Sequence, residues 1–153
     1  MKLAVIIPVY NAENTIRKAV KSIDTTHDVE IICINDGSTD RTKQVLTELQ
    51  KEVKHLIVYH QDNQGAAKSR NMGLSAMSDD IDAFMFLDAD DQFLPGKMDQ
   101  MIQYYEKNEH LDIVIGQIGR GLNGDWKVIP THEDIHREAI VSLAEAPEIL
   151  QSI

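Results

Sequence analysis

Short apolar runs alternate with helical patterns along most of the chain. The runs are Leu3–Ile7, Val29–Ile34, Leu56–Tyr59, Ala83–Leu87 and Ile113–Ile118. Each is brief, continuous rather than alternating, and mostly rich in Val, Ile or Phe, which predicts strands buried on both faces. Between them, Ile16, Ala19, Val20 and Ile23 recur at helical spacing, as do Val45, Leu46, Leu49 and Val53. Residues 66–77 predict a third helix, the least periodic of the set, and Met98, Met101, Ile102 and Tyr105 a fourth. Ser38 or Thr39 is placed to cap the second helix, and Pro95 to open the fourth. Strands and helices in this rhythm imply right-handed crossovers. The expected fold is α/β, a doubly wound, mainly parallel sheet with helices on both faces.

The pattern changes after Ile118. Gly119, Gly121 and Gly124 bracket a turn, Trp126–Ile129 reads as a returning strand, and Pro130 ends it. Stretches 138–144 and 147–153 look helical, and the chain stops on Ile153 in mid-pattern, as a truncated copy of the fold would. The expected organisation is one compact domain, with 1–118 as its α/β part and 119–153 beginning a second part.

Composition narrows the function. The net charge of −10 disfavours nucleic acid and anionic membrane as partners, since both need basic surface. Cys33 is the single cysteine, so no intrachain disulfide forms and a cytoplasmic location is expected. Pro8 interrupts the longest apolar stretch far short of the roughly 20 residues of a bilayer helix, so no membrane span is expected.

Candidate chemistry gathers at one place in each strand–helix unit. Pro8-Val9-Tyr10-Asn11 follows the first strand, Asn35-Asp36-Gly37-Ser38-Thr39-Asp40 the second, Gln61-Asp62-Asn63-Gln64-Gly65 the third and Asp88-Ala89-Asp90-Asp91 the fourth. In an open parallel sheet these loops share the carboxyl edge, where ligands bind. Asp36, Asp88, Asp90 and Asp91 would repel one another there unless protonated or neutralised. Hard oxygen ligands suit Mg²⁺ or Mn²⁺, which reads Asp88-x-Asp90 as a bridge to a diphosphate; a solvated loop with Asp91 as a helix cap is the plainer alternative. No G-x-G-x-x-G follows the first strand, and Gly65-Ala66-Ala67-Lys68-Ser69 lacks the glycines of a P-loop. Phosphates would have to meet the metal and Arg70.

The ordered set V-I-I-P-V-Y-N (5–11), N-D-G-S-T-D (35–40), N-Q-G-A-A-K-S-R-N-M-G (63–73) and F-L-D-A-D-D (86–91) resembles the nucleotide-sugar half of family 2 glycosyltransferases with the GT-A, Rossmann-related fold. The likeness covers residue 3 to about 115. It implies that Tyr10 lies against a nucleobase beside the Pro8-Val9 backbone, with Asn11 and Ala89 in the same nucleotide-sugar site. It implies that Asp36 accepts from the base (uracil by family habit) and that Gly65 lets the backbone approach the nucleotide. Arg70 would fix Asp36 or the phosphates, Asp88 would contact the ribose or a metal-bound water, and Asp90 would ligate the metal, with Asp91 a weaker ligand. Asn35 stands where the family often has a second aspartate. Read alone, Tyr10 equally suits a core aromatic, and Arg70 a structural ion pair.

The implied reaction moves a sugar from a nucleoside diphosphate donor to a carbohydrate or polyol-phosphate acceptor, with inversion and a carboxylate as general base. Surface polysaccharide or teichoic-acid precursors would be usual products. No catalytic base is identified; Glu133-Asp134 is the acidic pair of the tail, in a context that does not match. A non-catalytic nucleotide-binding or regulatory module is the alternative on the same fold. A remoter one is a zinc protease through His132-Glu133-x-x-His136, although Ala139 and Ser142 stand where the common continuation needs Gly and His. The histidines His27, His55, His60 and His110 read as surface residues, and Cys33 as core.

Overall fold

The apolar run near the start of the chain becomes the middle of a parallel sheet in a computed structural model that describes residues 1–108, 118–122 and 125–129. The elements are β1 (Lys2–Val9), α1 (Ile16–Lys21), β2 (Asp28–Asp36), α2 (Thr42–Glu52), β3 (Leu56–Gln61), α3 (Ala66–Ala76), β4 (Ala83–Phe86), α4 (Lys97–Lys107), β5 (Ile118–Leu122) and β6 (Asp125–Ile129). Contacts divide the chain into two compact units, Met1–Met98 and Asp99–Ile153, with the division falling inside α4.

The first unit holds a four-stranded sheet in the order β3-β2-β1-β4, with every pair parallel. β1 and β2 are central, and Leu3–Ile7 and Ile31–Ile34 are almost wholly buried, as continuous apolar runs require. β3 and β4 flank them among the described strands and depart from the expectation of burial on both faces. β4 alternates, leaving Phe84 and Phe86 47% and 38% exposed.

The strand order explains the two helical layers. From β1 to β2 to β3 the chain steps in one direction, so right-handed crossovers put α1 and α2 on one face. From β3 to β4 it crosses back over two strands, which puts α3 on the other. Ile6, Ile32 and Ile34 meet Met72 and Leu74 of α3, and Met77 just after it, on that side. Gly73 brings the helix close: a Cβ there would lie 2.3 Å from Ile6 Cγ2. The alternate residues Val5, Ile7, Ile31 and Cys33 face the opposite layer and are fully buried. Burial pushes the Cys33 thiol up to about 12, so it stays a neutral core group. α1 and α2 pack on each other and are tied at the surface by Arg17, which holds Glu48 at 2.9 Å and Glu52 at 2.6 Å.

Two helix starts differ from expectation. Ser38 and Thr39 do not cap α2; their polar groups go to Asn11, and Asp40 Oδ1 instead accepts the Thr42 N–H at 2.9 Å. Pro95 precedes α4, in a turn closed by the Lys97 N–H on the Leu94 carbonyl at 2.9 Å, rather than lying in its first turn. In the second unit β5 and β6 pair antiparallel, Ile118 opposite Ile129. The returning strand is as expected, but Gly119 and Gly121 lie inside β5 instead of bracketing the turn. Residues 113–117, His110, Gly124, the His132–His136 match, Glu133-Asp134 and the stretches at 138–144 and 147–153 lie outside the described residues. Among the described residues no helix is long and apolar enough to cross a membrane.

Candidate functional site

β1, β2 and β4 end at one edge of the parallel sheet, where the loops that leave them and the start of α3 surround a crevice. A cleft of about 470 Å³ lies there. Pro8, Val9, Tyr10 and Asn11 line it from the end of β1, and Asp36 from the end of β2. Ala66, Ser69 and Arg70 enter from the first turns of α3, and Asp88, Ala89 and Asp90 from the loop after β4. Ala12 and Thr15 complete the wall. Nine of the ten residues expected in a nucleotide-sugar site therefore meet in one place. The tenth, Gly65, and the third metal candidate, Asp91, are outside the lining. Tyr10 is 53% exposed, which rules out the core-aromatic alternative.

The β1–α1 and β2–α2 loops are stitched together. Asn11 Oδ1 accepts the Thr39 N–H at 2.8 Å, and the Asn11 N–H reaches Ser38 Oγ at 3.0 Å. The Ala12 N–H goes to the buried Thr42 Oγ1 at 2.8 Å. These bonds hold Asn11 at φ 47°, a left-handed conformation that asparagine tolerates, and so fix where Tyr10 leaves the strand. Asn35, in place of the second aspartate, puts its amide 3.0 Å from His60 Nδ1 and accepts the Ser38 N–H at 3.2 Å. His60 is thus exposed on β3, as expected, and tied to the motif through its ring.

Asp36 is only 3% exposed and is held by the β3–α3 loop. Its Oδ1 accepts from Gln61 Nε2 at 2.6 Å and from the Gln64 N–H at 2.8 Å, and its Oδ2 accepts the Gly65 N–H at 2.8 Å. Burial pushes the carboxyl up, but these donors and Ser69 outweigh it and hold Asp36 below the usual range, so it stays ionised. Gly65 serves this arrangement: its φ of 90° is open to glycine, and it turns the N–H onto Asp36 as α3 begins. Gly37 is constrained twice, by φ of 68° and by the Asn63 backbone nitrogen 2.8 Å from where a Cβ would sit. Sequence reasoning passed over Gln61, Asn63, Gln64 and Ser69 as individual residues. Their signal was the polar run 61–65 at the end of an apolar strand.

Arg70 does not fix Asp36, as one expectation had it, because Asp36 is already satisfied by the loop. Its Nη2 binds Asp88 Oδ1 at 2.7 Å, while its guanidinium carbon stands 5.7 Å from the centre of the Phe86 ring. Among the described lining residues Arg70 is the one cation against Asp36, Asp88 and Asp90. The excess negative charge is felt next door: partial burial, then repulsion from Asp90 and Asp88, raises the Asp91 carboxyl. Asp88, Asp90 and Asp91 do not bring three ligand oxygens within 4.8 Å of one another among the described residues. Such a set suits a hard cation that takes one or two carboxylates and completes its shell with water and phosphate.

A parallel sheet that doubles back beside β1, with an acidic cleft at the reversal, defines a GT-A-type α/β fold. The sequence model described as Glycosyl transferase family 2 matches residues 4–148. The chain belongs to glycosyl transferase family 2. It is 38% identical over 154 residues to the putative glycosyltransferase TagX of Staphylococcus aureus (strain MRSA252), covering 98% of this chain and 44% of that protein. It is 38% identical over 120 residues to glycosyltransferase GlyA of Streptococcus pneumoniae serotype 4, covering 75% of this chain and 16% of that one. The crystal structure of S. aureus TarS 1-349 in complex with UDP matches with a TM-score of 0.67 at 26% identity, covering 81% of this chain and 37% of TarS. The chain spans less than half the length of each of these relatives.

Proposed function

We propose that residues 1–118 form the donor site of an inverting, metal-dependent glycosyltransferase, and that 119–153 begin its acceptor side. The donor is a nucleoside diphosphate sugar, UDP-linked by preference, and the acceptor a hydroxyl of a carbohydrate or polyol phosphate. The observation that carries this reading is the meeting of Tyr10, Asp36, Arg70, Asp88 and Asp90 on one cleft at the sheet's switch point. The UDP held by the similar TarS chain supports uridine as the nucleoside.

In this reading the exposed Tyr10 ring covers the base beside the Pro8-Val9 backbone, and Asp36 accepts from a base N–H. Asn11 and Ala89 shape the walls, and Arg70 turns toward the phosphates. Asp88 and Asp90 hold Mn²⁺ or Mg²⁺, with Asp91 in reserve. The charge balance supports the cation: the lining carries three carboxylates and one guanidinium already paired to Asp88, which by itself repels a pyrophosphate. When bound, the metal supplies positive charge for the departing diphosphate. Inversion also needs a carboxylate base at the acceptor hydroxyl, and none of the described residues is assigned that role.

Calorimetric titration with UDP, GDP and TDP, each with and without Mn²⁺, tests the reading. UDP binds with Mn²⁺ and weakly after chelation, and Asp90→Ala lowers the Mn²⁺-supported affinity by about tenfold or more. Equal affinity of Asp90→Ala and wild type removes Asp90 from the metal site.

A further inference from the structure

One contact behind the cleft has a role that neither the family assignment nor the lining supplies. Gln61 ends β3 in register with Asp36 at the end of β2. Its Nε2 donates to Asp36 Oδ1 at 2.6 Å and reaches Ser69 Oγ at 3.2 Å. The fully buried Ser69 passes its own hydroxyl hydrogen to the Gly65 carbonyl at 3.1 Å. One amide therefore ties the ends of two strands to the first turn of α3, without itself lining the cleft.

An ionised carboxylate offers about four acceptor positions. Gln61 and Gln64 occupy both on Oδ1, and Gly65 occupies one on Oδ2. We infer that Gln61 is a positioning residue, which locks Asp36 between β2, β3 and α3 so that Oδ2, the oxygen with fewer protein donors, is presented to an N–H donor of the bound base. The choice of base rests on the donor-site reading above; the clamp itself rests on geometry alone. An amide is the right group for this position. It gives two donors and no charge, whereas a carboxyl at the same distance from Asp36 could not ionise alongside it.

The test compares wild type, Gln61→Ala and Gln61→Glu by carbon NMR titration of the Asp36 carboxyl and by calorimetry with UDP and Mn²⁺ across pH. Each variant is compared with wild type at the same pH, so that the titration of the UDP terminal phosphate near about 6 cancels, and in wild type Asp36 is ionised throughout the range of about pH 5.5 to 8.5. Gln61→Ala raises the Asp36 pKa and weakens UDP about tenfold at every pH. In Gln61→Glu the introduced carboxyl is protonated at about pH 5.5, donates as the amide did and leaves affinity near wild type. It then loses about tenfold or more as pH rises through the raised pKa of the new pair. An Asp36 titration unmoved in Gln61→Ala overturns the clamp, as does a ratio of Gln61→Glu to wild-type affinity that does not change with pH. Should Gln61→Glu not fold, the Gln61→Ala titration decides alone. If wild type binds no UDP while the Asp36 pKa still rises in Gln61→Ala, the donor-site reading falls and the clamp stands.

Discussion

Gly73→Ala sets two familiar effects against each other inside the helix that carries Ser69 and Arg70. In a free helix the change stabilises, because glycine is about 1 kcal/mol worse than alanine in a helix interior. Here the new methyl would lie 2.3 Å from Ile6 Cγ2, where ordinary carbon contacts fall at about 3.5–4.0 Å. Ile6 is fully buried in β1 and branched at Cβ, so neither rotation nor solvent relieves the overlap; α3 must lift from the sheet. Overpacking costs ~1–3 kcal/mol; an overlap this deep against a buried β-branched side chain falls in the upper part, ~2–3 kcal/mol, and subtracting the propensity gain leaves a net loss of ~1–2 kcal/mol. Thermal unfolding should show a Tm lower by about 2–8 °C. Ile6→Leu removes the offending Cγ2, so the double variant should be more stable than the two single changes added together. UDP affinity should fall with Gly73→Ala as well, since lifting α3 draws Ser69 away from Gln61. A Tm equal to or above wild type refutes the packing argument, because it means the helix accommodates the methyl and propensity alone decides.

Two further outcomes follow from the site. Arg70→Lys keeps the charge but gives up the planar fork that meets Asp88 and stacks near Phe86, so UDP affinity in Mn²⁺ should drop by about tenfold, measured by calorimetry, while the Tm changes little. His60, an exposed residue, has its pKa lowered by partial desolvation of the ring and by Lys43, and its Nδ1 serves as acceptor for the Asn35 amide. A depressed folded-state pKa contributes stability that is present above the unfolded value of about 6.5 and lost as pH falls below it; His60→Gln should flatten the Tm decline between about pH 7 and 5. The same sign applies to Asp36 in a lower window: its contribution is present above about 3.8 and is lost in stronger acid.

The parts of the fold legible in the sequence were those set by local burial. Leu3–Ile7 and Val29–Ile34 read as central strands because both faces of β1 and β2 are covered. Residues 83–87 looked the same on paper, yet β4 alternates, since Phe84 and Phe86 lie at the flank of the described sheet. The weak periodicity of residues 66–77 also has a cause. The fully buried positions of α3 are Ser69 and Gly73, one turn apart, with Met72 and Leu74 only half-buried beside them, so small size replaces hydrophobicity where the helix lies closest to the sheet. Tyr10, Asp36, Asp88 and Asp90 could be foreseen together because strand ends share an edge. The partners of Arg70 and Asp36 could not. They depend on register between strands and on which loop folds over which carboxylate, and neither is encoded in local spacing.

The carboxylates of the cleft divide into two kinds by what already occupies them. Asp36 is buried, ionised and held by protein donors, so it can read an N–H and little else. Asp88 and Asp90 are exposed, with Asp88 spending one oxygen on Arg70. A group held in a rigid frame discriminates among ligands. Groups with free lone pairs at the mouth of a cleft gather whatever positive charge the ligand brings or needs. On the proposed donor-site reading the buried aspartate discriminates among bases, while the exposed pair sets whether a pyrophosphate can stay, and the two functions should separate on mutation: changes around Asp36 should alter preference between UDP and CDP, since uracil carries a hydrogen on N3 and cytosine does not, whereas Asp90→Ala should weaken both by a similar factor and abolish the response to Mn²⁺.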